Sequence, residues 1–178
     1  MNEYIKSDCY RYFGKTDIRI MIYGFLSNPL FRFQVAFRLC SSGGGGTYIL
    51  GRVLWFFNQT KRIIQIQRGT RIGYGLKIGH LAPIIINPKT IIGDNFSIAH
   101  FVTIGSNHGT PATIGDSVYI GPNTSIVEDV NIGNLVTIGA GSVVTKDIPN
   151  NATAAGNYAK VISYKQPGRY IGNPWNTN

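Results

Sequence analysis

The sequence predicts an all-β left-handed parallel β-helix built on hexapeptide repeats, with a short N-terminal α-helical region. Three observations carry this. First, an aliphatic residue returns every sixth position at Ile66, Ile72 and Ile78, at Ile86, Ile92, Ile98 and Ile104, and at Ile114, Ile120, Ile126, Ile132, Ile138 and Val144. That period fits neither the ~3.6-residue helical turn nor the alternation of an ordinary sheet surface; it belongs to coils whose short strands each send one side chain to a common axis. Second, Gly follows the aliphatic residue in most hexads (Gly73, Gly79, Gly93, Gly105, Gly115, Gly121, Gly133, Gly139), where a tight corner favours a residue without Cβ. Third, the pattern is broken only twice, by short insertions. Three strands close a coil, so the thirteen hexads predict a little over four coils.

The elements follow in order. Residues 1–64 form the helical region, 65–162 the coil and 163–178 a loosely ordered tail. Ser7 and Asp8 are candidate helix caps. The run from Thr16 to Cys40 is apolar at helical spacing, and Pro29 divides it into two helices. Neither half reaches the ~20 uninterrupted apolar residues that span a bilayer. The pair is expected to pack on the coil or a neighbouring subunit, with a peripheral membrane contact through Arg19, Arg32 and Arg38 and Phe25, Phe31, Phe33 and Phe37 as the other reading. Ser41 to Gly46 reads as a joint, and Tyr48 to Ile64 as a further amphipathic helix. After Val144 the chain is expected to leave the repeat through Pro149, and the Gly-, Pro- and Asn-rich end from Gln166 to be loosely ordered.

Charge and cysteine usage narrow the class. The net charge is +9, and residues 1–70 hold ten Lys and Arg against three acids. Such a basic surface suits an anionic membrane, an anionic glycan or the phosphates of a cofactor; no nucleic-acid partner is expected, because no fold motif for one accompanies the charge. Cys9 and Cys40 read as buried thiols, without a disulfide framework or zinc knuckle. With no signal peptide in the early residues, a cytoplasmic location is expected, at the inner membrane face if the helices make that contact.

The insertions mark the candidate site. Ile78 to Ile86 spans eight residues and Ile104 to Ile114 spans ten, and each insertion carries a histidine, His80 and His108. Extra residues in a coiled repeat map to corner loops, which build binding sites. Counting hexads puts the two histidines at opposite corners of one prism face, roughly 15 Å or more apart. They meet only if neighbouring prisms pack corner to corner, which predicts a homotrimer with inter-subunit sites. His100 falls in the column of His80, one coil along, at ~4.8 Å spacing. His80 is taken as functional, and His108 and His100 stay open between functional and structural roles.

Beyond the hexads, the runs GAGSVV and TAAG followed by a basic residue, with the segment around KIGHLAP and IGDNFSIAH, resemble the serine acetyltransferase branch of the hexapeptide acyltransferases over roughly residues 65–162. The likeness extends to short members from bacterial capsule and surface-polysaccharide clusters. It implies acetyl transfer from acetyl-CoA to a hydroxyl, with His80 as general base, His108 contacting the acceptor and Asp8 near the acceptor amine. It further implies oxyanion donors around Gly105 and Ser106, a CoA arm lying against Gly121, Pro122, Gly139 and Ala140, and closure by Thr153, Ala154, Ala155 and Gly156. Lys160 and Lys146 would pair with CoA phosphates, and no metal is expected. Two departures bear on the acceptor: Gly79 stands where the family carries an Asp before the histidine, and Thr110 precedes Pro111 where the second histidine is usual. These favour a sugar hydroxyl of a capsule, O-antigen or exopolysaccharide precursor, with L-serine as the alternative. A third reading, resembling γ-type carbonic anhydrase, would place Zn²⁺ among His80, His100 and a neighbour's His108.

Overall fold

The computed structural model describes residues 2–41 and 44–176; Met1, Ser42 and Gly43 of the expected joint, and Thr177 and Asn178 of the tail lie outside the described residues. Helix α1 (Glu3–Phe13) is capped by Asn2, whose side-chain oxygen accepts from Tyr4 N, and ends on Gly14 at φ 65. Helix α2 (Ile18–Ser27) is capped by Asp17. Helix α3 (Pro29–Ser41) opens on Pro29, in the first turn where a missing N–H leaves nothing unpaired, and Asn28 accepts from Leu30 N and Phe31 N. Helix α4 (Gly45–Phe57) stops earlier than its hydrophobic pattern suggests, because Asn58 caps a 3₁₀ turn over Gln59–Arg62 and the first strand begins at Ile64. Helices α3 and α4 cross at Gly51, where a Cβ would fall 2.7 Å from the backbone of Leu39 and Cys40.

The strands run in successive turns. The first turn holds β1 (Ile64–Ile66), β2 (Arg71–Ile72) and β3 (Lys77–Ile78); the second β4 (Ile84–Ile86), β5 (Ile91–Ile92) and β6 (Ser97–Ile98). The third holds β7 (Val102–Gly105), β8 (Thr113–Ile114) and β9 (Tyr119–Ile120); the fourth β10 (Ser125–Val127), β11 (Asn131–Ile132) and β12 (Thr137–Ile138). The fifth holds β13 (Val143–Val144), Ile148 and β14 (Thr153–Ala155), and β15 (Lys160–Ser163) folds back antiparallel to β14. The result is a left-handed parallel β-helix of about five turns. Three aliphatic columns fill its axis: Ile66, Ile86, Ile104, Ile126 and Val144; Ile72, Ile92, Ile114, Ile132 and Ile148; Ile78, Ile98, Ile120, Ile138 and Ala154. All of these are buried. The fifth turn corrects the expected four: the chain does not leave at Pro149, since Ile148 still pairs with Ile132 and Ala154 with Ile138.

One corner explains the repeated glycines. Asp94 accepts from Tyr74 N, Asp116 from Asp94 N, Asn134 from Asp116 N and Asn150 from Asn134 N, each at 2.7–2.8 Å. Each acceptor oxygen lies over the glycine of the turn below, so that a Cβ on Gly93 would meet Asp116 Oδ1 at 2.2 Å. The constraint at these positions is close approach between turns, not an unusual φ.

The helical region closes the open end of the coil. Ser7 and Asp8 are not helix caps but buried residues inside α1 that accept from the first turn's Gly75 N and Leu76 N, both at 2.8 Å. Tyr12 Oη accepts from Ile78 N and donates to Ile78 O, and Gln34 Nε2 donates to Leu76 O. Arg38 donates to Ile72 O and Gly73 O while its Nε and Nη2 donate to the Asp8 carboxylate at 2.8 and 3.0 Å. Burial raises the Asp8 carboxyl above its ordinary value, against the opposing pull of Arg38 and Leu76 N–H. Burial likewise pushes the Cys9 thiol up to about 11, with Asp17 and Asp8 adding to the shift.

Packing turns α3 onto the coil, the first of the two expected arrangements, and takes Phe31, Phe33, Phe37 and Arg38 away from the membrane contact of the other reading. Phe31, Phe33, Phe37 and Arg38 are buried, with Phe33 against Phe37 and Trp55. The outward apolar side chains lie instead on α2 (Ile22, Leu26) and α4 (Leu50, Phe56, Phe57). No helix among the described residues is long and apolar enough to cross a membrane. The tail is docked rather than loose. Gly168 N donates to Leu135 O, Asn95 and Trp175 exchange two hydrogen bonds, and Tyr170 packs on Tyr119 with ring centroids 4.8 Å apart.

Asp8→Ala leaves the buried Arg38 guanidinium and Leu76 N–H without their acceptor and should destabilise the fold by about 3–5 kcal/mol. Denaturant unfolding measures it; a loss within about 0.5 kcal/mol, as at a neutral surface position, would contradict the capping role.

Candidate active site

The corner that carries the chain from the third face back to the first is the site's axis. Backbone bonds from Gly79 N to Ile98 O, Ala99 N to Ile120 O, Gly121 N to Ile138 O and Gly139 N to Ala154 O stack this corner turn on turn. Asn123 N to His100 O and Gly141 N to Pro122 O continue the stacking on its outer side. His80, His100, Pro122, Ala140 and Gly156 therefore follow one edge of the prism. His80 is exposed, and His100 beneath it is half-buried; their ring centroids are 5.1 Å apart at 86°. His100 Nδ1 is buried and has no hydrogen-bond partner among the described residues.

A cavity of about 200 Å³ opens beside His80, lined by Lys77, Gly79, His80, Ser97, Ile98, Ala99, Tyr119 and Tyr170. Burial, with Tyr170 adding to it, raises the Tyr119 phenol. Two larger clefts, of about 560 and 600 Å³, lie along α4 and between α1, α3 and the first turn, and neither is lined by a histidine.

Further along the same edge the side chains stay small because successive turns approach closely. A Cβ on Gly121 would lie 2.8 Å from Ala140 N and Ile138 O, and one on Gly139 2.9 Å from the Ala155 Cβ. Gly121, Pro122, Gly139, Ala140, Ala155 and Gly156 thus form a flat strip above the histidines, and exposed Lys160 stands opposite Ala155 on β15. Thr153 starts β14 on the third face. Ala154, expected in a closing loop, is fully buried as the last member of its core column.

The second insertion lies at the other end of the first face, between β7 and β8. Its organiser is Glu128, whose carboxylate accepts from Asn107 N at 3.2 Å and His108 N at 3.4 Å and lies 3.0 Å from Ser106 Oγ. The Asn107 N–H and the Ser106 hydroxyl hold the Glu128 carboxyl below its ordinary value. Gly105 O accepts from Glu128 N, and His108 is exposed. Lys146 belongs to this second edge, in the corner between β13 and Ile148. The fold therefore gathers His80 with the small-residue strip and Lys160, and Gly105, Ser106 and His108 with Lys146, on two separate corners. Asp8, expected beside an acceptor amine, is buried and joined to Arg38 and Leu76 N.

Glu128, Lys77, Tyr119 and Tyr170 were not singled out from sequence. Adding to Ser106 the 22 residues of its coil reaches Glu128, and Lys77, Ser97 and Tyr119 stand in register one position before the axial Ile78, Ile98 and Ile120 on the face that leads to His80, so register alone could have found the first three. Nothing local signals Tyr170.

Among the described residues no three His, Cys, Asp or Glu side chains converge as a metal group. A family model described as bacterial transferase hexapeptide (six repeats) matches residues 111–146. A serine acetyltransferase of Helicobacter pylori is 34% identical over 120 residues, covering 65% of this chain and 70% of that protein. Serine acetyltransferase 3, mitochondrial, of Arabidopsis thaliana is 39% identical over 106 residues, but this chain spans only 27% of its length. Among solved structures, a Neisseria gonorrhoeae serine acetyltransferase in complex with serine superposes with a TM-score of 0.68 at 27% identity, over 89% of this chain and 67% of the other. A Brucella abortus serine acetyltransferase in complex with coenzyme A gives 0.66 at 25%, over 89% and 65%. The chain belongs to the hexapeptide-repeat acyltransferases. Within that class its homologues include serine acetyltransferases.

The Glu128 anchor makes a pH prediction. A carboxyl held low in the folded state contributes its full stabilisation above its unfolded value and loses it as pH falls through the lower folded value. The backbone amide signals of Asn107 and His108 should titrate together with a midpoint below the usual Glu value of about 4.3. A midpoint at or above that value would contradict the anchor.

Proposed function

We propose that this chain is an acetyl-CoA-dependent O-acetyltransferase that uses His80 as general base on the hydroxyl of L-serine. The observation that carries the reading is the placement of His80: an exposed imidazole on an inserted corner, at the mouth of a small cavity and at the foot of the flat strip. A hydroxyl attacks a thioester poorly at neutral pH because its proton leaves with difficulty, and a base near neutrality removes that proton as the bond forms. His80 takes the proton, the hydroxyl oxygen bonds to the acetyl carbonyl carbon, the carbon–sulfur bond breaks, and the CoA thiolate takes up the proton. The strip from Gly121 to Gly156 suits an extended pantetheine arm, since no side chain longer than Pro or Ala stands on it, and Lys160 supplies a point charge for a phosphate.

The second corner completes the site in a homotrimer. His80 and His108 flank one face, so a neighbour's His108 loop reaches the first chain's His80 only across a subunit boundary. Backbone N–H groups near Gly105 and Ser106 would then face the developing oxyanion.

The names of the relatives support L-serine over the glycan hydroxyl that the sequence departures favour. Three observations favour a second reading: Gly79 stands beside His80, Asp8 is committed to Arg38, and among the described residues no acid lines the cavity, so an acceptor ammonium has no carboxylate partner there. That arrangement favours a hydroxyl acceptor without an amine, such as a sugar of a surface polysaccharide.

Release of free CoA tests both. L-Serine should support turnover, and His80→Ala should lower kcat by about 10²–10⁴ while acetyl-CoA still raises the melting temperature. CoA release with a glycan hydroxyl and none with L-serine would move the acceptor to the second reading; His80→Ala at full rate would overturn the mechanism.

A further inference from the structure

The cationic groups around the His80 cavity are out of balance with the acids. Arg11 is fully buried, and its guanidinium donates only to neutral groups: Gly75 O at 3.0 Å, Gly172 O and Ser97 Oγ. Burial pulls it down to about 10. Asp8, the carboxylate whose charge acts on Arg11, is paired with Arg38. Lys77, half-buried on β3, lines the cavity with its ammonium 5.9 Å from the Tyr12 ring centroid, and among the described residues no carboxylate pairs with it. Burial and the neighbouring Arg11 both pull its pKa down, and the Tyr12 ring face gives the charged form a cation–π contact but no counter-charge.

A partly desolvated lysine in the wall of a cavity without an acid suits an anion. We infer that Lys77 determines acceptor specificity by binding a carboxylate on the acceptor, while the acceptor's hydroxyl is presented to His80. Lys77 and His80 line the same cavity, so the ligand's two groups lie within a few bonds of each other. A volume of about 200 Å³ takes a small hydroxy acid or a single acidic sugar residue and is below the usual range for larger ligands, about 300–1,000 Å³. An amine is not part of this recognition, because no acid lines the cavity to receive it. The inference deepens the acetyl-transfer reading and rests on it for the role of the hydroxyl.

The test compares acceptors in pairs that differ in the carboxylate: L-serine against L-serinamide, glycerate against glycerol, and glucuronate against glucose. In the wild type the carboxylate member of at least one pair should have the higher kcat/KM by about tenfold or more, as for a hydrogen bond to a charged group. The pair that responds distinguishes a free hydroxy acid from an acidic sugar. Lys77→Met should abolish that preference by raising the acceptor KM rather than by lowering kcat, with the KM for acetyl-CoA unmoved, and Lys77→Arg should restore part of it. A preference that survives in Lys77→Met, or that is absent from the wild type, overturns the inference. A second arm is independent of turnover: L-alanine, which keeps the carboxylate of serine without its hydroxyl, and glucuronate are each titrated without acetyl-CoA into both proteins and followed by NMR. Binding lost in Lys77→Met supports the lysine even if no acceptor is acetylated, in which case the enzymatic reading alone fails. Equal binding to both proteins, or none to the wild type, overturns the lysine even if acetyl transfer is intact.

Discussion

A parallel coil ends in a row of backbone N–H and C=O groups with no further turn to bond to, and an open edge of that kind invites other chains to pair with it. In this protein the N-terminal helices exist in their observed form to close that edge. Ser7, Asp8 and Tyr12 from α1 and Gln34 and Arg38 from α3 reach the first turn's backbone, and the Asp8–Arg38 pair is the buried centre of the arrangement. The net value of such a pair is small compared with an apolar substitute, yet it fixes which face of each helix lies on the coil. It also removes Asp8 from any contact with a substrate.

Turn-to-turn register then distributes different chemistry to the three corners. One carries the Asp and Asn ladder from Asp94 to Asn150 and is structural. The second carries His80, His100 and the small-residue strip, and the third the Glu128-anchored loop with His108. Each insertion departs from the hexad without disturbing the columns, because Ile86 and Ile114 still pair with their counterparts in the adjoining turns. Corner loops of different shape are thus carried on a core that does not change.

Much of this was legible in the sequence for a physical reason: a side chain that enters the axis every sixth residue leaves a periodic trace, and any loop leaves a gap in it. The columns, both insertions and the stacking of His100 on His80 follow from counting. The fifth turn did not, since Ile148 comes four residues after Val144 and Ala154 replaces the usual larger aliphatic residue. Ser7 and Asp8 looked like helix caps because the same short polar acceptors serve a helix end and a sheet edge. Phe31, Phe33 and Phe37 carry a helical apolar pattern that does not say whether its partner is lipid, another subunit or, as here, the chain's own α4 and coil. The cavity wall was invisible for another reason: Tyr170 meets Tyr119, and Arg11 meets Ser97, through tertiary contacts with no local signature.

Arg11 bonds to Gly75, to Ser97 and to Gly172, so it joins the beginning of the chain, the first two turns and the tail at one point. A ribosome delivers these parts in order, and Gly172 emerges last. The wall beside His80 therefore closes only once Tyr170 and Gly172 have emerged, which keeps the pocket incomplete in any nascent fragment that stops short of them.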